Sequence, residues 1–185
     1  MATSPPAREI DALATLAACG RGGASLFAMA CAERLRPLLQ RVPSGSPPLV
    51  AGIALTALWR VLEGLDRPDP RRLVELSQAC WTLVEIEPVP GVPTALLEQL
   101  IAAAHHALET YRAGDPKQAL LAASKACEAA GPSAPAELLR QDRDLEEIAV
   151  QMRAGGPLAP FATSVRKRAE KEGKHFVATL LTARS

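Results

Sequence analysis

Apolar side chains recur every three to four residues along this chain, in segments separated by clusters of proline and glycine. This spacing is typical of α-helices that bury one face, and no segment shows the sustained alternation of a strand. Because proline is tolerated in the first turn of a helix but breaks its interior, the clusters mark helix boundaries. The pattern predicts an all-α fold, a single compact domain over residues 1–185 with seven or eight helices. The boundaries fall at residues 43–48, 66–70, 88–93, 114–116, 131–135 and 155–160.

Several helix ends can be predicted individually. Three prolines follow a side chain that can cap a helix, so helices should begin at Ser46-Pro47, Asp69-Pro70 and Asp115-Pro116. Gly114 and Gly131 are placed to end the preceding helices. The short connection at Gly114 predicts an antiparallel hairpin of the fifth and sixth helices, and the sixth is rich in alanines that allow close packing.

The third and fifth predicted helices differ in their apolar faces. Apolar residues cover nearly the whole circumference of the third helix, between Val50 and Leu65, so we expect it to be the central helix. Its narrow remaining stripe consists of Gly52, Thr56, Arg60 and Glu63. The fifth helix, over residues 97–112, has a single apolar stripe and a polar opposite face. We expect it to be peripheral.

Composition and charge narrow the possible partners. Hydrophobic residues make up 48% of the chain and aromatic residues only 3%, which favours helices over a β-sandwich or barrel. The 21 Lys and Arg residues nearly balance the 20 Asp and Glu residues, giving a formal charge of +1. Since so small a charge creates no extended field, we expect no nucleic-acid partner and no membrane partner.

Other features of the chain bear on its compartment. The N-terminal residues lack the apolar run of a signal peptide. The longest uncharged stretch, from Val42 to Trp59, begins with several prolines, and the remaining stretch of about 11 residues is too short to span a bilayer. The four cysteines lack the spacing of a metal site or redox pair and are interpreted as core residues. We therefore expect a cytoplasmic protein.

One segment carries a motif, Cys31-Ala32-Glu33-Arg34-Leu35-Arg36-Pro37, followed downstream by Trp59 at the end of an apolar run. It resembles the YjaG-like family of all-helical bacterial proteins, whose second helix bears a Cys-x-Glu-Arg-Leu-x-Pro signature and whose third helix closes on a tryptophan. The resemblance covers most of the chain and implies an all-helical fold without implying an activity. A looser likeness to helical immunity proteins of bacterial polymorphic toxin systems implies a protein partner.

The chain departs from the family pattern at two places. Leu38-Leu39 stands where the family tends to have asparagine and an aromatic residue, and Thr56 stands where it tends to have a carboxylate. Pro37 itself cannot donate a hydrogen bond to the Glu33 carbonyl, so the helix should bend there. The bent surface, with Glu33 and Arg34, could contact a ligand or partner. In the simpler interpretation, these two residues form a structural ion pair or brace loops against a kinked core helix.

Candidate catalytic and metal-binding groups are few. His105 and His106 are adjacent and therefore point about 100° apart on a helix, which prevents both from facing one metal ion. His105 could bind an ion with Glu98 and Glu109, although a solvated polar face explains these residues more simply. Cys31 occurs among apolar neighbours and is interpreted as a core residue, not a nucleophile. We therefore predict no catalytic residue, no metal and no cofactor.

A glycine-rich segment at residues 20–23 could bind a phosphate at the start of a helix. No strand precedes it and no P-loop lysine accompanies it. A flexible joint between the first two helices is the simpler interpretation.

Two charged segments lie near the C-terminal end. Residues 137–147 are mostly acidic and residues 166–174 mostly basic, so the two could pair with each other or with a partner. We predict a non-catalytic protein-binding module, in its most concrete form an immunity protein that occludes the active site of a toxin. The candidate contact residues are Glu33, Arg34, Arg60, Glu63, Asp142, Asp144, Glu146 and Glu147.

Two alternatives stay open at this stage. The protein could instead bind a small ligand, or act as an enzyme, through a pocket at the Pro37 bend. It could also associate with itself through surplus apolar surface.

Overall fold

A computed structural model describes residues 7–83 and 86–182, which form eight α-helices. In these two ranges the only β-type pairing is an isolated bridge between Val89 and Val92, so the predicted all-α class is confirmed. Residues 1–6, part of the segment interpreted as lacking a secretion signal, lie outside the described residues, as do residues 183–185. The helices are α1 (Ala7–Ala18), α2 (Gly20–Glu33), α3 (Leu49–Leu62), α4 (Pro70–Trp81), α5 (Thr94–Ala113), α6 (Pro116–Ala130), α7 (Ala134–Ala154) and α8 (Leu158–Thr182).

The central helix is α2, not α3 as the apolar content predicts. Every residue of α2 from Gly23 to Glu33 is buried, and the helix contacts α1, α3, α5, α6, α7 and α8. The alanines of α2 allow neighbouring helices to approach it on all sides, whereas α3 itself carries bulkier side chains, which keep its neighbours farther away. One face of α3 remains accessible, and Ile53 on that face is 51% exposed.

Helices α5 and α6 form the predicted antiparallel hairpin, and the capping details agree with it. Gly114 adopts a left-handed conformation (φ +68°) and donates its N–H to the Thr110 carbonyl, which ends α5. The Asp115 carboxylate accepts the N–H of Lys117 at 2.9 Å and begins α6. The prediction that α5 is peripheral is wrong, because α5 packs against α2, α3 and α4 as well as α6.

The other predicted helix ends are mostly confirmed. The Asp69 carboxylate accepts the backbone N–H groups of Arg71 and Arg72 and so begins α4. Gly131 ends α6. Ser46 does not cap α3, which begins later, at Leu49, after Pro48 and without a side-chain cap. Gly20, with φ +65°, forms the joint between α1 and α2.

Helix α8 crosses the end of α2 at Gly173, in the middle of its length. A Cβ atom at Gly173 would lie 2.8 Å from the Arg34 carbonyl oxygen and 2.9 Å from the Arg34 Cα. Both distances are shorter than packed atoms allow, so only glycine fits at this crossing without displacing the backbone. This crossing fixes Arg34 against α8.

A helix that spans a bilayer must be both long and apolar. None of the helices within the described ranges combines enough length with enough apolar character to cross a membrane.

Candidate functional site

The α-helical geometry of α2 ends four residues before Pro37. Helix α2 ends at Glu33, and the Leu35 N–H bonds to the Ala32 carbonyl at 3.0 Å. A short 3₁₀ helix then runs over Arg36–Arg41, with Pro37 in its first turn. We call this short helix the bend segment. The sequence predicts a helix that bends at Pro37, whereas α2 stops at Glu33 and a 3₁₀ helix containing the proline follows it.

A cleft of about 940 Å³ lies beside the bend segment, which we call the bend cleft. Its volume lies within the roughly 300–1,000 Å³ typical of small-molecule sites. One side is a stripe of α3 with helical spacing, formed by Leu49, Gly52, Ile53, Thr56, Ala57 and Arg60. The bend segment contributes Arg36, Pro37, Leu39 and Gln40, and α8 contributes Arg166, Glu170 and Lys174. Glu33, Asp66 and Arg72 complete the lining.

Glu33 is a buried acid in the wall of the cleft, only 1% exposed. Its carboxylate accepts the indole N–H of Trp59 at 2.7 Å and a guanidinium N–H of Arg36 at 3.2 Å. Burial raises the pKa of the Glu33 carboxyl, and the charge of Arg36 and the hydrogen bond from Trp59 partly oppose this rise. The two landmarks of the sequence motif, Glu33 and Trp59, are therefore joined directly.

The pKa of Glu33 gives a test of this geometry. An acid whose pKa is raised by folding contributes stability below its unfolded pKa and loses that contribution as pH rises through its folded pKa. Relative to the wild type, Glu33→Gln should therefore gain stability as pH rises from 4.5 to 7.5, measured by urea unfolding. Glu75→Gln, at an exposed site on α4, is the matched control and should show no such gain. A relative stability of Glu33→Gln that stays constant or falls with pH would contradict the buried position.

Arg36 is held in place by a second contact on α3. Its guanidinium donates to the Thr56 hydroxyl oxygen at 2.7 Å, and the Thr56 hydroxyl donates to the Gly52 carbonyl at 2.8 Å. Thr56 thus orients a cation at the position where the resembled family tends to carry a carboxylate. The cleft therefore has a fixed Arg36 side chain that is still 29% exposed.

The remaining cations of the cleft differ in how fully they are paired. Arg60 makes a bidentate contact with Asp66, at 2.6 and 2.9 Å. Arg166 pairs with Glu63 at 3.0 Å and with Glu170 at 2.9 Å. Lys174 is exposed, and within the described ranges no carboxylate lies in ion-pair distance of it. The predicted contact residues Arg60 and Glu63 therefore lie in or beside the cleft, already paired within the chain.

Arg34 does not pair with Glu33, so a mutual ion pair is wrong, but both residues hold the end of α2 against other helices, Glu33 through Trp59 of α3 and Arg34 through α7. Arg34 is completely buried and donates to Glu137 through Nε and Nη2, the latter at 2.7 Å, and to Asp144 through Nη1 at 2.6 Å. Burial lowers the pKa of Arg34, but the adjacent Glu137 and Asp144 carboxylates more than offset this effect, so the pKa lies above its ordinary value. Arg34 joins α2 to α7.

This burial corrects part of the predicted contact surface. Arg34 is 0% and Asp144 only 1% exposed, so neither side chain can meet a protein partner at the surface. Glu33 is likewise buried and is reached only from the cleft. Sequence inspection missed Glu137 as the main partner of Arg34, because 103 residues separate the two.

The acidic and basic segments pair within the fold, which was one of the two alternatives. Arg168 of α8 contacts Asp144 at 2.9 Å and also contacts Glu147. Arg143 contacts Glu172 at 2.8 Å. Because these charges are largely matched between α7 and α8, Glu147 offers little free charge to a partner.

Asp142 and Glu146, the other predicted contacts, are exposed on α7. They line a second groove of about 590 Å³ between α1 and α7, which we call the α1/α7 groove. Asp142 also pairs with Arg8 of α1 at 2.6 Å. The floor of the groove is apolar and includes Ala14, Ala18, Leu145, Ala149 and Met152.

The histidines contribute to packing between helices. His105 Nδ1 lies 3.0 Å from the Ser77 hydroxyl, and that hydroxyl donates to Glu109 at 2.6 Å. Although serine, histidine and glutamate meet here, the serine proton is directed to the glutamate and Ser77 is only 3% exposed, so a substrate cannot reach it. His106 Nδ1 lies 2.8 Å from the Gln118 side-chain oxygen. In the described part of the chain, no three His, Cys, Asp or Glu side chains converge as a metal site would require.

The cysteines agree with their interpretation as core residues. Cys19, Cys31 and Cys80 are buried, Cys127 is half-buried, and all four are free thiols. Burial raises the pKa of the Cys31 thiol well above its ordinary value and that of Cys80 to about 12. Because the thiolate is the nucleophilic form, burial disfavours the reactive state of Cys31 and Cys80.

No protein-family model matches the chain, and no curated protein or solved structure matches it. The resemblance to YjaG-like proteins therefore stays a prediction that depends on the Cys31–Pro37 motif and Trp59. What the structure adds is the physical link between the two parts of that motif, the hydrogen bond from Trp59 to Glu33.

Proposed function

We propose that this protein binds a small molecule in the bend cleft without transforming it. The observation that supports this proposal best is the cleft itself, a concave space of about 940 Å³ where α3, α8 and the bend segment meet. Its lining combines apolar side chains with a few fixed polar groups, which is the composition typical of ligand sites.

The lining residues also favour binding over catalysis. Among the residues that line the cleft, none is a histidine, cysteine, serine or tyrosine. The Thr56 hydroxyl is already engaged by Gly52 and Arg36, and the Glu33 carboxylate by Trp59 and Arg36. The three carboxylates of the lining, on Glu33, Asp66 and Glu170, each pair with an arginine, and no serine, cysteine or tyrosine stands beside them as a nucleophile.

The test is a fragment screen by ligand-observed NMR with a matched pair of cleft-filling variants. Ala57 in the bend cleft and Ala149 in the α1/α7 groove are both half-buried alanines at the edge of the core. Fragments should bind the wild type, lose binding in Ala57→Phe, where the larger ring occupies the cleft, and keep binding in Ala149→Phe. The proposal would be refuted if fragments bound both variants equally, or if no fragment bound the wild type.

A second candidate function is the protein-binding role predicted from the sequence, with toxin neutralisation as its most concrete form. The α1/α7 groove favours it, because the exposed acids Asp142 and Glu146 border an apolar floor. Co-purification from native lysate should then yield a stoichiometric complex that Ala149→Phe abolishes and Ala57→Phe retains. Absence of any complex across salt conditions counts against this role.

The cellular compartment and the oligomeric state complete the proposal. Four free thiols are typical of proteins in a reducing compartment, which supports the expected cytoplasmic location.

Self-association through exposed apolar side chains would appear in light scattering as a mass above 19.5 kDa.

A further inference from the structure

We infer that the bend cleft takes an amphipathic anion, a free single-chain molecule with a carboxylate or phosphate head and a short apolar body. This inference depends on the proposed small-molecule function and adds the chemistry of the ligand. It follows from the two different surfaces that α3 and α8 present to one space.

The apolar surface belongs mainly to α3 and the bend segment. Ile53 stands in the middle of α3, yet it is 51% exposed, and Leu49 and Ala57 lie one turn away on the same face. Leu39 of the bend segment adjoins this stripe, since a Cβ at Gly52 would lie 2.8 Å from Leu39 Cδ1. An apolar ligand body seated here would remove Ile53 and its neighbours from water, which is favourable.

The polar surface of the cleft includes one face of α8. Arg166, Glu170 and Lys174 are spaced by four residues and therefore lie on one face of that helix. The whole lining contains five cations, on Arg36, Arg60, Arg72, Arg166 and Lys174, against three carboxylates, on Glu33, Asp66 and Glu170. Glu63 and Glu75, which pair with Arg166 and Arg72 from outside the lining, offset this excess, so an anionic head would meet one cation without a carboxylate partner among the described residues, Lys174.

Lys174 is the cation best placed to receive that head. Each of the four arginines has a carboxylate partner within the chain, and Lys174 has none among the described residues. It follows Gly173, which lies against Arg34, so Lys174 is at the end of the cleft next to the bend segment and Arg36. Its ammonium group has three hydrogen-bond donors for an incoming oxyanion.

Isothermal titration calorimetry with four decyl compounds tests the inference. Decanoate and decyl phosphate carry an anionic head, decanol carries none, and decylammonium carries a cation, while the apolar body is the same in all four. We expect both anions to bind, decanol to bind about fivefold more weakly, and decylammonium to bind more weakly still, because one exposed charge contact contributes a factor of this size.

Two pairs of variants assign the two surfaces. Lys174→Gln should weaken decanoate about fivefold and leave decanol unchanged, whereas Lys171→Gln, an exposed lysine of α8 outside the lining, should change neither. Ile53→Ser should weaken decanoate and decanol alike, whereas Ile10→Ser, at an isoleucine of α1 that is 53% exposed, should weaken neither. All four variants alter exposed side chains, and melting curves followed by circular dichroism verify that they fold.

The other outcomes separate this inference from the function on which it rests. Equal affinity for decanol and decanoate would overturn the anionic head while leaving a ligand cleft. If none of the four decyl compounds bound, while fragments bound the wild type and lost binding in Ala57→Phe, the amphipathic ligand alone would be overturned. If fragments also fail, the proposed function itself is wrong. Sedimentation of the protein with phosphatidylglycerol vesicles would show that the anion is a membrane lipid headgroup and would overturn the free ligand.

Discussion

Substitution of Gly173 by alanine should lower the free energy of unfolding by about 2 kcal/mol. The added Cβ would lie 2.8 and 2.9 Å from backbone atoms of Arg34, which cannot move aside as the end of a flexible side chain can. In an unconstrained helix the same change would stabilise the protein by up to about 1 kcal/mol, since alanine has the higher helix propensity. Urea unfolding followed by tryptophan fluorescence measures the difference.

Gly22→Ala provides the matched control for this experiment. Gly22 also lies in a helix, but a Cβ there would meet only the end of the Leu158 side chain, at 3.2 Å. We expect this variant to be as stable as the wild type or slightly more stable. If Gly173→Ala were as stable as the wild type, α2 and α8 would not cross as closely as these distances require.

Replacement of Arg34 by methionine should be more damaging, with a loss of about 3–5 kcal/mol. The reason is the state of Glu137, which is 0% exposed and would keep only Arg140, at 3.4 Å, as an ion-pair partner, whereas Asp144 would retain Arg143 and Arg168. Urea unfolding again gives the magnitude. Arg8→Met, which removes an exposed pair with Asp142, should cost less than about 1 kcal/mol.

A second substitution keeps this prediction testable if Arg34→Met does not fold. Glu137→Gln in the Arg34→Met background removes the buried charge that has lost its main partner and should restore part of the lost stability. Glu137→Gln alone should destabilise the wild type. If the two substitutions were simply additive, Arg34 and Glu137 would not be coupled in the way that their 2.7 Å contact indicates.

The sequence predicts the helices well because the signals for helix ends are local. Asp69, Asp115, Gly114 and Gly131 each act on the backbone within a few residues, so their effects can be recognised without tertiary information. Ser46 shows the limit, since two consecutive prolines follow it and the helix begins only at Leu49. The central position of α2 depends instead on how closely neighbours approach, which the apolar content of α3 does not determine.

The candidate site could be predicted only in part. The end of α2 ahead of Pro37 follows from the chemistry of proline, and the cleft lies where the alternative of a ligand pocket would place one, although its function stays a prediction. The partners of Arg34 do not follow from local pattern, although a signal exists, because Glu137, Gln141, Asp144 and Ile148 recur at helical spacing and all four are buried. Polar residues at core-facing positions of α7 thus indicate a buried partner elsewhere in the chain.

The crossing at Gly173 also determines how the cleft can respond to an occupant. Lys174 is the next residue along α8, and Arg36 lies two residues beyond Arg34, so both cations are anchored to the same rigid junction in the interior. The separation of their backbones is set before any ligand arrives, and Glu33 and Thr56 already order the Arg36 side chain, so binding has to order only the side chain of Lys174. We therefore expect a preorganised receptor with a similar shape when free and when loaded, in which a change at the junction alters affinity without touching the ligand.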